Sequence, residues 1–153
     1  IQDSPCLRFV GREGNVSDLF GEKLQGAFVE KVIHRALGQQ AIKARFFLLA
    51  PVAEVKARPA YTLFLDTHAI TDAAVLKRNL EKGLVENFHY AHCRRLGQLS
   101  EARVFHIDRG ALSAETIFQQ EMLSRGIKLG DIKLVPLDHK PGWERHFNGQ
   151  FVS

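Results

Sequence analysis

Apolar positions recur along this chain in distinct spacings, and each spacing predicts a kind of element. After Leu24 the apolar residues are Ala27, Phe28, Val32, Ile33, Ala36 and Leu37. Steps of three and four put them on one face of a helix, and Gly38 is a fitting C-terminal stop. The stretches "ARFFLLAPV" (44–52) and "AYTLFLDT" (60–67) are instead nearly continuous apolar runs of strand length. Such runs predict strands covered on both faces, joined here by the charged hairpin "AEVKARP" (53–59). Near the start, "CLRFVG" (6–11) and "VSDLF" (16–20) predict two short strands around the turn "REGN" (12–15).

The segment "THAITDAAVLKRNLEKGLVENFHYAHCRRLG" (67–97) carries one or two helices, with Thr67 or Thr71 as N-cap. "ARVFHID" (102–108) is a strand pattern. "SAETIFQQEMLSRG" (113–126) signals both ends of a helix, through Ser113, Glu115 and Thr116 at one end and Gly126 at the other. From Lys128 to Ser153 the periodicity fades, although the only tryptophan, Trp143, lies there. No segment repeats and none is of low complexity. The order ββα-ββ-αα-β-α-tail predicts an α+β fold in one domain over residues 1–153, a mixed sheet of four to six strands packed with helices.

Composition narrows the class. The chain has 153 residues, 45% apolar and 25% charged, which fits a single soluble globular domain. No run approaches the ~20 apolar residues of a membrane-spanning helix, and no secretory signal opens the sequence. A cytoplasmic protein without a membrane partner is expected, with Cys6 and Cys93 as reduced thiols. Met122 is the only methionine, so the sequence opens without an initiator, close to an apparent strand. A processed protein, or a domain cut from a longer chain, is the expectation that follows. The net charge of +4 is compatible with a phosphate-bearing ligand without requiring one.

Most familiar chemistry is absent. His89, His92 and Cys93 share one helical turn, yet a fourth metal ligand and the glutamate of a metalloprotease motif are both missing, so no metal site is expected. There is no Gly-x-Ser-x-Gly elbow, no catalytic cysteine setting and no glycine-rich phosphate loop. The aromatics of "KARFFLL" lack the spacing of an RNA-recognition signature, so nucleic acid is not an expected partner. Lysines near turns remain. In "VSDLFGEKL" (16–24) Glu22 suits the first turn of a helix, whose N-terminus carries partial positive charge, whereas Lys23 does not. A helix start joined to an ammonium is an anion site, which makes Lys23 a candidate anion contact. Lys133 lies in "GDIKLVP" (130–136), after Gly126 and Gly130, where a loop can move. Lys128 and Lys140 are its nearby alternatives.

Several of these motifs fall in a familiar order. "PCLRFVGREGNVSDLFGEKL" resembles the Phe-x-Phe-x-x-Arg…Ser…(Glu/Asp)-Lys stretch of the auxin-responsive (Gretchen Hagen) acyl-acid amido synthetases. In "NFHYAHCRRLGQL", Asn87, Tyr90, Arg94, Gly97 and Leu99 are similar to another motif of that family. In the closing segment, Gly110, Gly126, Lys133 and Pro136 are similar to a third, with Asp131 in place of the usual Gln and the gap from Lys133 to Pro136 one residue longer. The resemblance covers nearly the whole chain and suggests a bacterial member.

The resemblance implies the small, mobile C-terminal domain of an adenylate-forming enzyme, whose partner is the N-terminal adenylation domain of the same protein. The implied reaction joins a carboxylic acid to an amino acid through an acyl-adenylate, using ATP with Mg2+ in the intact enzyme and none bound by this part alone. Lys23 and Lys133 become the implied catalytic residues, with Lys23 and Glu22 against the nucleotide. Asn87, Tyr90 and Arg94, at helical spacing, are expected to be structural, with the Tyr90 hydroxyl finding a partner. The alternative is a free-standing α+β module for anionic or nucleic-acid ligands.

Overall fold

The computed structural model describes residues 15–53 and 57–152. The strand expected at 6–11, most of the turn at 12–15 and Cys6 lie outside the described residues. In chain order the elements are β1 (Val16–Ser17), β2 (Leu24–Gln25), α1 (Gly26–Gly38), β3 (Ala44–Val52), β4 (Ala60–Thr67), α2 (Ala73–Leu84), α3 (Phe88–Arg95), β5 (Arg103–Ile107), α4 (Ala114–Ser124), a 3-10 turn (Leu129–Asp131), α5 (Trp143–His146) and β6 (Gly149–Val152).

The main sheet has the order β3-β4-β5-β6, and β1 and β2 form a separate two-stranded ribbon. The β3–β4 and β5–β6 pairs are antiparallel, and β4–β5 is parallel. The sheet is therefore mixed and the fold α+β, as the sequence predicts. All eight residues of β4 are buried, because helices cover both faces of the sheet. On one face Leu49, Tyr61, Leu63, Leu65 and Val104 pack with Val32 and Ile33 of α1, Leu76 and Leu80 of α2, and Tyr90 of α3. On the other, Phe46, Leu48, Phe64 and Phe105 pack with Phe118 and Met122 of α4 and with Trp143 and Phe147. The Trp143 ring stacks on Phe118 at 5.5 Å and on Phe147 at 5.4 Å.

Helix ends follow local hydrogen-bonding chemistry. Ser113 caps α4 as expected, accepting from the Thr116 N–H at 3.1 Å. The cap of α2 is Asp72, which accepts from the Val75 N–H at 3.1 Å, and not Thr67 or Thr71. Thr67 is used inside β4, where its hydroxyl donates to the Lys43 carbonyl. Asn87 caps α3 through the Tyr90 N–H at 2.9 Å. Tyr90 and Arg94 then converge on one carboxylate. The tyrosine hydroxyl donates to Glu81 Oε1 at 2.8 Å, and Arg94 Nε donates to Oε2 at 2.7 Å. The Tyr90 hydroxyl thus finds a partner, as expected, and it is the one shared with Arg94, while Asn87 stands at the helix start.

Two parts of the sequence-based order change. The strand expected at 16–20 shrinks to Val16–Ser17, and Leu24 belongs to β2 while the helix begins at Gly26. A Cβ on Gly26 would run into the Asn15 side chain, so glycine lets that side chain lie across the helix start. The aperiodic tail also completes the sheet. β6 pairs with β5, and Leu137 forms a parallel bridge with Leu49. Among the described residues no helix is long and apolar enough to cross a membrane.

Candidate functional site

The two candidate lysines sit on two differently built connections. Lys23 ends the turn between β1 and β2, which spans residues 18–23. It is not at a helix N-terminus, because Gln25 is the N-cap of α1. Lys23 has φ +48°, the left-handed region that L-residues with a Cβ seldom adopt. Its neighbour Glu22 is fully buried rather than facing solvent on a first helical turn. The Glu22 carboxylate accepts from the backbone N–H groups of Leu19 and Phe20, each at 2.7 Å, and from the Tyr61 hydroxyl. Tyr61 also shares a hydrogen bond with the Ser17 hydroxyl at 2.6 Å. Burial first, then the hydrogen bond to Glu22, pushes the Tyr61 phenol far up, so it stays protonated and serves as a donor. The Glu22 side chain is thus committed to shaping the turn, and the Lys23 side chain is left in solvent.

Cys93 also ties the turn to the core. Its thiol lies 3.5 Å from the Phe20 carbonyl, and burial pushes its pKa up, which makes it an inert, weak donor. His92 stacks on Phe88. Among the described residues no group of three or more His, Cys, Asp or Glu side chains is placed to hold a metal ion.

Lys133 occupies the connection that leaves α4. Gly126 takes φ +89°, and the chain then runs through the 3-10 turn to Pro136. Lys133 is exposed and makes no hydrogen bond or ion pair among the described residues. Its far end is fixed to the edge of β3, where Leu49 N donates to the Pro136 carbonyl at 2.8 Å and Asp138 N donates to the Leu49 carbonyl at 2.9 Å. Under the loop lies an open groove of about 780 Å³, whose lining includes Phe118, Met122, Ile132, Lys133, Leu137 and Lys140. Volumes of this order are typical of small-molecule sites.

At the neck of this loop is a charged cluster that sequence reasoning missed. Arg125 donates to Asp138 Oδ1 at 3.1 Å and to Oδ2 at 2.8 Å, and its Nε donates to Glu121 at 2.9 Å. Trp143 Nε1 donates to Asp138 Oδ2 at 2.7 Å. Burial alone would raise the Asp138 pKa, but the bonds from Arg125 and Trp143 outweigh it and hold the carboxyl below its ordinary value. The available signal was a lone tryptophan five residues beyond an aspartate in an otherwise aperiodic tail.

The structure does not gather the candidates into one cluster. Lys133 lines the groove, whereas Lys23 and Glu22 do not. Among the described residues Asn15 links the two regions, its Nδ2 donating to the Leu137 carbonyl at 3.3 Å. Asn15 lies beyond one end of the β1–β2 ladder and Lys23 beyond the other.

Comparison with known proteins fits this architecture. The GH3 family C-terminal domain matches residues 27–138, which includes Lys133 and begins just after Lys23. No curated protein sequence matches the chain. Among solved structures it is similar to a GH3.15 acyl acid amido synthetase, with TM-score 0.60 and 13% identity over 86% of this chain. It is also similar to "AtGH3.15 acyl acid amido synthetase in complex with 2,4-DB", with TM-score 0.63 and 14% identity over 86% of this chain. In both cases this chain spans 24% of the solved relative. The chain therefore belongs to the GH3 family and carries that family's C-terminal domain.

Proposed function

We propose that this chain is the mobile C-terminal domain of an ATP-dependent acyl-acid amido synthetase, working in the cytoplasm beside an N-terminal adenylation domain of the same protein. The observation that carries this reading is the GH3 C-terminal domain match over residues 27–138, on a fold shared with two solved structures of acyl acid amido synthetases. In the first step a carboxylate oxygen of the acid attacks the α-phosphorus of ATP. The bond to pyrophosphate breaks, and pyrophosphate leaves with the electron pair. In the second step an amino-acid amine attacks the acyl carbon, AMP leaves with the C–O electron pair, and the amine gives up a proton.

In this reading Lys133 serves the first step. Charge builds on phosphoryl oxygens there, and a positioned cation that meets it contributes about 10²–10³ in rate. Lysine suits this as a compact point charge on a flexible stem. Lys133 is exposed, unpaired among the described residues and carried on a loop with a glycine at each bend, Gly126 and Gly130. Lys23 is the second candidate for the phosphates. Its ammonium is also in solvent, but on a turn fixed by Glu22, whose own carboxylate is taken up by that turn. Among the described residues no group of three or more His, Cys, Asp or Glu side chains is placed for a metal ion, and magnesium in this reading enters with the phosphates of ATP.

The test is ATP–pyrophosphate exchange over a panel of carboxylic acids. The intact enzyme should exchange and should form amides when amino acids are added. The chain on its own should do neither, because the acyl pocket and most of the ATP site belong to the other domain in this reading. Exchange by this chain alone, or an intact protein inert with every acid, overturns the proposal.

A further inference from the structure

We infer that Arg125 and Asp138 are positioning residues for Lys133: their buried bidentate pair closes the neck of the loop that carries it. The inference rests on the reading of Lys133 given above. A lysine on an exposed loop samples many positions unless the ends of the loop are held. This loop leaves α4 at Arg125 and returns to the sheet at Asp138, 13 residues later. Between them the residues from 126 to 134 are exposed apart from Ile132, and the 3-10 turn is held locally by Asp131 N on the Lys128 carbonyl. Within the loop, Ile132 and Val135 pack against the Phe46–Phe118–Trp143 cluster on either side of Lys133, a contact that limits its distance from the core but is not directional.

The neck adds a directional anchor to that packing. Arg125 is the C-cap residue of α4, and its backbone N–H still bonds to the Glu121 carbonyl. Its guanidinium therefore projects from a rigid helix end. Asp138 is equally fixed, by its backbone N–H on Leu49 and by the Trp143 indole on its carboxylate. Trp143 is itself packed between Phe118 and Phe147. The planar fork of the guanidinium joins these two rigid points in one relative orientation, which a single lysine contact could not do.

A buried ion pair is a poor means of gaining stability, since desolvation offsets much of the attraction. Apolar residues of similar volume would hold α4 against the tail equally well. What the charged pair adds is a unique geometry, and that geometry is transmitted along the loop to Lys133. Small displacements matter here, because misplacing a reacting group by about 1 Å can cost 10²-fold in rate.

The experiment is a cycle of variants in the intact enzyme, with adenylate formation and amide formation from supplied acyl-adenylate measured separately. Asp138→Asn should slow adenylate formation by about 10- to 100-fold and leave amide formation unchanged. Arg125→Lys keeps the charge but loses the fork, so it should fall between Asp138→Asn and wild type, and it is the variant to use if Asp138→Asn folds poorly. In a Lys133→Ala background neither change should slow adenylation further, because a lysine that is absent cannot be misplaced. If Lys133→Ala is slow but the neck variants run at the wild-type rate, or lower both half-reactions together, or add their losses to that of Lys133→Ala, the positioning inference is wrong and the reading of Lys133 stands. If Lys133→Ala adenylates at the wild-type rate, the reading of Lys133 itself is wrong.

Discussion

The β1–β2 turn and the loop after α4 solve the same problem in opposite ways. Each presents a solvent-facing lysine, and each is fixed by a buried carboxylate. Glu22 is held by neutral donors, two of them within its own turn, with Tyr61 as the one distant partner. Asp138 is held by a guanidinium 13 residues away and by the indole of Trp143. The first arrangement fixes the backbone right up to its lysine, and forces Lys23 into a left-handed conformation. The second fixes the neck, seats Ile132 and Val135 on the core, and leaves Gly126 and Gly130 in the connection that carries Lys133. A rigid brace and a tethered arm therefore carry the same side chain. The arm suits the role proposed for Lys133 better than the brace suits Lys23.

The sharpest way to break this contrast is at Asp138. Asp138→Ala leaves Arg125 buried with only part of its charge met, and losing one partner of a buried pair costs about 3–5 kcal/mol. Denaturant unfolding of the chain should show a loss of that size. Glu22→Gln should cost less, about 1–3 kcal/mol, since its amide nitrogen would face the Phe20 N–H, donor against donor, while its oxygen keeps the Leu19 and Tyr61 contacts. If Glu22→Gln proves the more damaging of the two, the ranking of ionic neck over neutral turn is reversed.

Acid sharpens the same distinction. The Asp138 carboxyl is held below its ordinary value of 3.8, so its contribution is fully present above that value and is lost as pH falls through the lower folded-state value. The stability gap between wild type and Asp138→Asn should therefore narrow on going from about pH 6 to about pH 2–3. A gap that widens in acid would contradict the assigned direction. Away from both regions, Asn87→Ala should cost about 1 kcal/mol, the usual worth of a helix cap, with no change in either half-reaction. The smallest effect is expected at Lys23. Lys23→Gly relieves a positive φ and should stabilise the chain by up to about 1 kcal/mol in thermal unfolding. A destabilised glycine variant would mean that the Lys23 side chain contributes to the turn.

What the sequence disclosed was what its local spacing encodes. The helical steps of α1, the continuous runs of β3 and β4, and both ends of α4 are set by residues that are near neighbours in the chain. What it concealed depends on partners far away. Glu22 looks like a helix-start acid until Tyr61, 39 residues on, draws it inside. Lys23 looks like part of the same helix start until β2 intervenes. The strand β6 is only four residues long and partly exposed, so it leaves no alternation to detect. Asp138 and Arg125 look like ordinary surface charges until the tail folds back along β3. Lys133 could be picked out as a loop lysine, but the groove beneath it and the neck that holds it could not.

The most direct test of the account is pyrophosphate exchange by the intact enzyme carrying Lys133→Ala, set against Lys128→Ala and Lys140→Ala. All three lysines are exposed, so each substitution should leave stability within about 0.5 kcal/mol, and differences in rate will report on chemistry. The account predicts that Lys133→Ala alone loses exchange, by about 10²–10³-fold, while amide formation from supplied acyl-adenylate survives. Equal rates for the three variants would contradict it.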